Sequence, residues 1–522
     1  MSPSEPTEDT SREPRTRRRS RHRPSHEAIP LQLPWHQPRR LFAPVDIATE
    51  DQVETIHETS LRILSEIGID FLDPQARHLL AQAGAKVEAD SERVRFDRDF
   101  VEETIATAPS EFTLHALNPD RNLVIGGDAI AFSAVSSAPN VSDEAGGRRP
   151  GNHEDFQNLI RLGHTINTVH FWGGYPVEPV DIHASVRHLD TLFDMLTLSD
   201  RAIHAYSLGA QRNQDALEMI RIARQVDDAT LDREPSIMSV INANSPLRYD
   251  TPMLQGILEF SARNQVIIIT PFTLAGAMAP VTLSGALAQH NAEALAGIVM
   301  TQVVRPGSPV VYGGFTSNVD MQSGAPAFGT PEFMQSAMIT GQLARRYNLP
   351  YRSSGVNAAN ALDAQAAYES VFSLWGAIMG GAHMIIHAVG WMEGGLRASY
   401  EKMVLDADLL GMVSTFLAPL DFSSEALAFE AVRDVGPGGH FFGTPHTLER
   451  FRNAFYRPMI SDWRNYETWV EAGSPEAKGR MVELVAELMD SYEPPKMDPS
   501  ARAQLEEFRE RRKQEGGVPT DY

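Results

Sequence analysis

The feature that most limits what this chain can fold into is a repeat of short apolar runs separated by segments of helical periodicity. The runs lie at Ile130–Val135, Thr168–Gly173, Ala202–Leu208, Ser236–Ile241, Val266–Pro271, Pro309–Phe315, Pro350–Ser354 and His383–Ala388. Their starts are 38, 34, 34, 30, 43, 41 and 33 residues apart. Helical spacing fills the gaps at Asp155–Thr165, His183–Leu198, Asp215–Val226, Met253–Arg263, Leu283–Val304, Phe333–Tyr347 and Ala364–Met379, and Tyr400–Leu417 follows the last run. Strands alternating with helices predict βαβ units and a parallel sheet. Eight units over about 290 residues fit a TIM (β/α)8 barrel better than an open doubly wound sheet.

The flanks read differently. Residues 1–44 are expected to be a disordered basic leader, with seven arginines between Arg12 and Arg23 and few apolar residues to offset ordering. Residues 45–127 predict a small α+β cap: helices at Val53–Ile67, Pro74–Ala83 and Phe100–Ala108, and short strands at Arg93–Phe96, Phe112–Leu117 and Asn122–Ile125. The barrel is placed at 128–420, and 421–522 is a helical C-terminal extension ending in a charged, solvated helix at Ala501–Glu515. A net charge of −22 argues against nucleic acid as a partner. The absence of cysteine excludes disulfides, thiolate metal sites and a Cys nucleophile. No apolar run spans a membrane and no signal-peptide core is present, so a cytoplasmic, self-associating barrel is expected.

In a TIM barrel the working residues sit at the strand C-terminal ends. Here those ends carry Trp172, Tyr175, Tyr206, Thr270, Phe272, Tyr312, Phe315, Asp320, Arg352, Ser354, Asn357, His387, Trp391 and Glu393. Aromatic faces around a cavity suit an ammonium ion through cation–π attraction. Nucleotide-binding glycine motifs and a strand-end lysine are missing. His383 and His387, with Glu393, offer a metal-dependent alternative, although a structural histidine pair is the plainer reading. The Gly/Pro-rich loop Gly436–Thr447, with His440 and His446, is of the kind that contacts a ligand or packs against a partner surface.

Several segments resemble the trimethylamine:corrinoid methyltransferase family: Thr270–Thr282, Arg305–Gly313, Ser323–Glu332, Asp363–Glu369 and Gly390–Leu396. The resemblance implies a TIM barrel that moves a methyl group from an amine nitrogen to the Co(I) of a separate corrinoid protein, with no cofactor or metal bound by the barrel itself. Family members that use trimethylamine carry pyrrolysine, for which the equivalent position is expected near Gly355–Asn360. Every residue here is a standard one, which implies a quaternary amine such as glycine betaine. Trimethylamine, or betaine binding without catalysis, are the alternatives. On this reading Phe272, Tyr312, Phe315 and Trp391 form the cage, with Tyr206 and Asn357 completing the substrate-binding set. Arg352 or His387 pairs with a substrate carboxylate, and Glu393 and Asp320 balance the ammonium charge; Glu393, Asp320 and His387 are the catalytic candidates.

Overall fold

Seven of the eight apolar runs become strands of one parallel sheet in a computed structural model, which describes residues 32–520. We label them β1 (Ala131–Ala134), β2 (Ile203–His204), β3 (Ile237–Ile241), β4 (Val266–Ile269), β5 (Val310–Gly313), β6 (Tyr351–Ser354) and β7 (Met384–Val389). Their order is β1-β7-β6-β5-β4-β3-β2, so the first strand pairs with the last. The remaining run, Thr168–Gly173, contributes isolated parallel bridges from Phe171 to Ser133 and to Ala202, either side of the gap between β1 and β2. Side chains explain why it stops there. The His170 Nδ1 accepts the Phe132 amide at 2.9 Å and Ser133 Oγ accepts the Gly173 amide at 2.8 Å, replacing carbonyls that a full ladder would use.

Alternate residues of these strands point inward and meet. Ala131, Phe171, Ala202, Met238, Val266, Ile268, Val311, Met384 and Ile386 form one cluster, which requires the sheet to curl round on itself. The base of this interior is sealed by the hairpin Phe112–Leu114/Leu123–Ile125, whose Leu114, Leu123 and Ile125 join the same cluster. The outward faces pack on helices at His153–Thr165, Arg187–Leu198, Ala210–Arg224, Thr251–Ala262, Leu283–Val304, Pro331–Arg346, Ala364–Gly380 and Tyr400–Phe416. Local chemistry sets their limits: Thr330 Oγ1 accepts the Phe333 amide ahead of Pro331, and Gly381, at φ 91°, ends the helix of Ala364–Gly380.

Leu283–Val304 is apolar nearly all round because it is covered twice, by the sheet and by the cap helices Glu50–Arg62, Pro74–Ala83 and Arg98–Ile105. The cap combines these helices with a small sheet, and residue 127 is not a packing boundary. The cap sheet takes Arg248–Tyr249 from the main domain as an edge strand beside Ile69–Phe71.

Two parts of the flanks differ from expectation. Residues 32–44, grouped by composition with the leader, run across the body: Gln32 donates to Thr165 O at 3.0 Å, Gln37 exchanges bonds with Val124, and Arg121 stacks on Trp35. The Arg12–Arg23 stretch lies outside the described residues. The charged C-terminal helix is not merely solvated. Pro499–Gln514 docks on Arg187–Leu198 and Ala210–Arg224, and its Arg512 and Lys513 pair with the buried acids Asp215 and Asp190. Among the described residues no helix is long and apolar enough to cross a membrane.

Candidate active site

The chemistry collects at the C-terminal end of the curled sheet. Parity along β5 and β6 decides which side chains enter. Val311 and Gly313 face inward and Gly313 pairs with Arg352, so the Arg352 side chain projects into the interior over a neighbour with no side chain of its own. A Cβ on Gly313 would strike Thr270 Oγ1. Arg352 is 2 % exposed and forms no ion pair with any described residue. Its one hydrogen bond is a long 3.4 Å contact from a terminal nitrogen to Gly314 O, and its Nε has no partner. The guanidinium lies 5.2 Å from the Phe315 ring centre. Burial lowers its pKa to about 9.

The groups around Arg352 share this lack of partners. His204 Nδ1, Thr270 Oγ1, Ser354 Oγ and Asn357 Oδ1 are buried with no hydrogen-bond partner in the protein. His204, at the end of β2, is held down to a pKa of about 3 by burial and by Arg352. His387, on β7, has φ 61°, a left-handed backbone that turns its ring inward; its Nδ1 is 3.1 Å from Ser136 Oγ. Burial, then Arg352 and His204, hold it well below the usual imidazole range. Both rings are therefore neutral near pH 7, and Arg352 is the fixed charge here.

Two accessory sheets above the rim carry the aromatic wall. One joins Thr273–Ala275, Thr316–Val319 and Pro326–Ala327, locked by a 2.6 Å hydroxyl bond between Thr273 and Thr316. It presents Phe272, Phe315 and Phe328. The other joins Trp391–Met392, Arg397–Ser399, Asn140–Asp143 and Gly147–Pro150 and presents Trp391. The Phe315 ring centre lies 5.0 Å from Phe272, 5.6 Å from Phe328, 5.9 Å from His387 and 6.5 Å from Trp391. The His387 and Trp391 rings are 4.1 Å apart. Asn357 fixes the indole reciprocally, donating to Trp391 O at 2.5 Å and accepting from Trp391 Nε1 at 3.1 Å through its backbone carbonyl. Tyr206 stands on the β2 side, 4.6 Å from His204 and bonded to Ser137 Oγ.

The structure thus brings together Phe272, Phe315, Arg352, Asn357, His387 and Trp391, with Tyr206 beside His204. It does not bring in three other expected residues. Tyr312 points outward, because the flanking Val311 and Gly313 point in; its hydroxyl donates to Asn291 and its ring lies 6.0 Å from Tyr347 in the helix layer. Asp320 is exposed and spends its carboxylate on Gln322 and Ser323 in its own turn. Glu393 is engaged by Arg148 at 2.9 Å and Arg397 at 3.0 Å. The metal alternative does not assemble either. His383 uses Nδ1 on the Tyr351 amide and Nε2 on Gly127 O, and it shares no carboxylate cluster with His387. Phe328, His204 and Ser136 were not singled out from sequence. Phe328 carried a signal, since it sits in the Ser323–Glu332 segment.

Comparison with known proteins bears on the family and the fold. A sequence profile described as trimethylamine methyltransferase (MTTB) matches residues 12–517. The glycine betaine methyltransferase of Desulfitobacterium hafniense strain Y51 is 37 % identical over 479 residues, covering 92 % of this chain and 99 % of that one. A trimethylamine methyltransferase, MttB, of D. hafniense strain DCB-2 is 25 % identical, covering 90 % and 94 %. Among solved structures, the Methanosarcina barkeri monomethylamine methyltransferase MtmB superposes with a TM-score of 0.51 at 12 % identity, covering 86 % of this chain and 89 % of that one, a likeness of TIM-barrel-like fold. With the profile matched over nearly its whole length, this chain belongs to the trimethylamine methyltransferase (MTTB) family.

Proposed function

We propose that this chain takes a methyl group from a quaternary ammonium that also bears a carboxylate, glycine betaine being the simplest, and passes it to the Co(I) of a separate corrinoid protein. The observation that carries this reading is Arg352, a buried cation with no acid to balance it. A buried unpaired charge costs several kcal/mol, roughly, unless something completes it. A substrate carboxylate completes it; trimethylamine, which has none, leaves it bare.

We take the sheet to work as a closed eight-stranded ring with the Phe171 segment as its eighth member, a reading supported by the bridges on both sides of that residue. Within it, Arg352 holds the carboxylate and Phe272, Phe315, Phe328 and Trp391 surround the ammonium, whose charge their ring faces attract. The neutral His204 and His387 add no positive charge beside it. The corrinoid, held by its own protein at the mouth, supplies the nucleophilic electron pair that accepts the methyl. As the N–C bond breaks its electron pair stays on nitrogen, so the amine leaves neutral and no proton moves. This chain's part is to orient one methyl outward and exclude water.

Titration calorimetry of the purified chain with glycine betaine, choline and trimethylamine tests this. Choline keeps the trimethylammonium and replaces the carboxylate with a hydroxyl. Glycine betaine is expected to bind about 100-fold more tightly than choline, the scale of a charge-assisted bidentate contact. Equal binding of the two would remove Arg352 as the anchor, and preference for trimethylamine would favour the tertiary-amine reading.

A further inference from the structure

Between Leu417, buried at the end of its helix, and Tyr456, whose hydroxyl lies against Gly411 of that helix, the chain leaves the body. The excursion contains three short helices, Ser424–Leu427, Phe429–Val435 and Pro445–Arg450, and none of their residues is buried. It is nonetheless rich in apolar surface: Phe422 is 74 % exposed, Phe442 86 % and Phe455 88 %, and Phe429 and Phe451 are also exposed. Helices of seven residues or fewer do not hold together in water on their own. Whatever covers this arm must therefore be present for as long as the arm is folded. A corrinoid protein that visits and departs does not meet that condition.

The body carries a matching surface. A cavity of about 680 Å³ opens between the helices Glu50–Arg62, Leu283–Val304 and Pro331–Arg346, lined by Ile56, Leu287, Met334, Met338, Ile339 and Phe372. Phe372 and Tyr368 are exposed on their helix, and Trp375, three residues beyond Phe372, lies 5.3 Å from Phe416, where the arm departs. Arm root and groove are thus neighbours on one face. A two-fold axis beside that face lets each of two copies lay its arm on the other, the self-complementary arrangement closed dimers use. The five phenylalanines, on the order of 150 Å² or more each, bring the arm near the ~800 Å² that each partner contributes to a stable interface.

We propose that residues 418–455 form an arm exchanged between two copies of this chain, each seated in the partner copy's groove beside Phe372. The proposal does not depend on the substrate assignment. The test uses the full chain at about 10 µM, by sedimentation and by amide hydrogen exchange. The expected result is a dimer or a multiple of it, with the amides of Phe429–Val435 and Pro445–Arg450 exchanging about 100-fold more slowly than in an unfolded chain. A monomer overturns the proposal, as does free exchange of those amides, or protection that appears only when a corrinoid protein is added. Two double variants locate the contact: Phe429→Glu with Phe455→Glu in the arm, and Tyr368→Glu with Phe372→Glu on the body. Both should give monomers with unchanged far-ultraviolet circular dichroism. If the arm variant does not fold, the body variant reads the same contact from two exposed positions. An unchanged assembly in the body variant overturns the exchange.

Discussion

On the proposed function, Arg352 is costly to the folded protein and useful to its substrate, and the two effects separate experimentally. Replacing it with Met removes an unpaired buried charge while keeping its bulk, so Arg352→Met is expected to raise stability by about 1–3 kcal/mol in denaturant unfolding. The same change should abolish the discrimination between glycine betaine and choline. A destabilised variant with intact discrimination would show that the guanidinium has a structural partner instead. The buried histidines give a second prediction. His170 and His204 are held near 3, and His164, His290 and His383 near 4, in each case chiefly by burial. Between those values and about 6.5 the unfolded chain binds protons that the folded chain does not. Stability is therefore complete above pH 6.5 and lost on acidification from there towards pH 4, by up to about 1.4 kcal/mol per pH unit for each histidine. Unfolding midpoints measured from pH 8 to 4 should be flat and then fall; a midpoint that rises on acidification contradicts it. What sequence reasoning lacked at this scale was strand parity. Pro309–Phe315 is an unbroken apolar run, which hides which residues face in, so Tyr312 and Phe315 looked equivalent although only Phe315 enters the site.

Single elements were the most legible feature. Leu283–Val304 carries the limits that its periodicity predicts, and eleven of the other main-domain strands and helices move by no more than two residues at either end, because helix-capping residues and β-branched runs mark them. The exceptions are elements made by distant partners. Nothing local marks Thr273–Ala275, Thr316–Val319 and Pro326–Ala327 as one sheet, or shows that the Thr168–Gly173 run pairs through Phe171 alone. The helix Tyr400–Phe416 holds a further device that periodicity cannot show. Lys402 and Asp406 pair in full burial; Asp406 accepts the Gly390 amide at 2.8 Å, and Lys402 donates to Ser370 Oγ at 2.9 Å, which in turn contacts Asn357. This network braces the backbone on either side of Trp391. Lys402→Met leaves Asp406 buried and uncompensated and should cost about 3–5 kcal/mol. The double variant Lys402→Met with Asp406→Leu should recover most of that stability yet still bind glycine betaine several-fold more weakly. Wild-type affinity in the double variant would show that the brace is not needed.

At the scale of the whole molecule, composition was a poor guide to where the body ends. Residues 32–44 looked like leader and are pinned by Gln32, Trp35 and Gln37; residues 421–455 looked like ordinary helical extension and stand clear of the core. In both stretches a few long-range contacts, or their absence, decide the outcome, and neither leaves a periodic trace. The hairpin at the base has a kinetic consequence. With Leu114, Leu123 and Ile125 packed in one cluster with Met238 and Met384, the lower end is filled among the described residues, which on the proposed chemistry leaves the rim as the doorway. On the proposed chemistry that doorway serves substrate, product and methyl acceptor alike. The amine must be aboard before the acceptor protein docks, and the demethylated product stays inside until that protein withdraws. Turnover is then ordered like a stack, last in and first out, and the undocking of a large protein becomes a gate on the release of a small molecule.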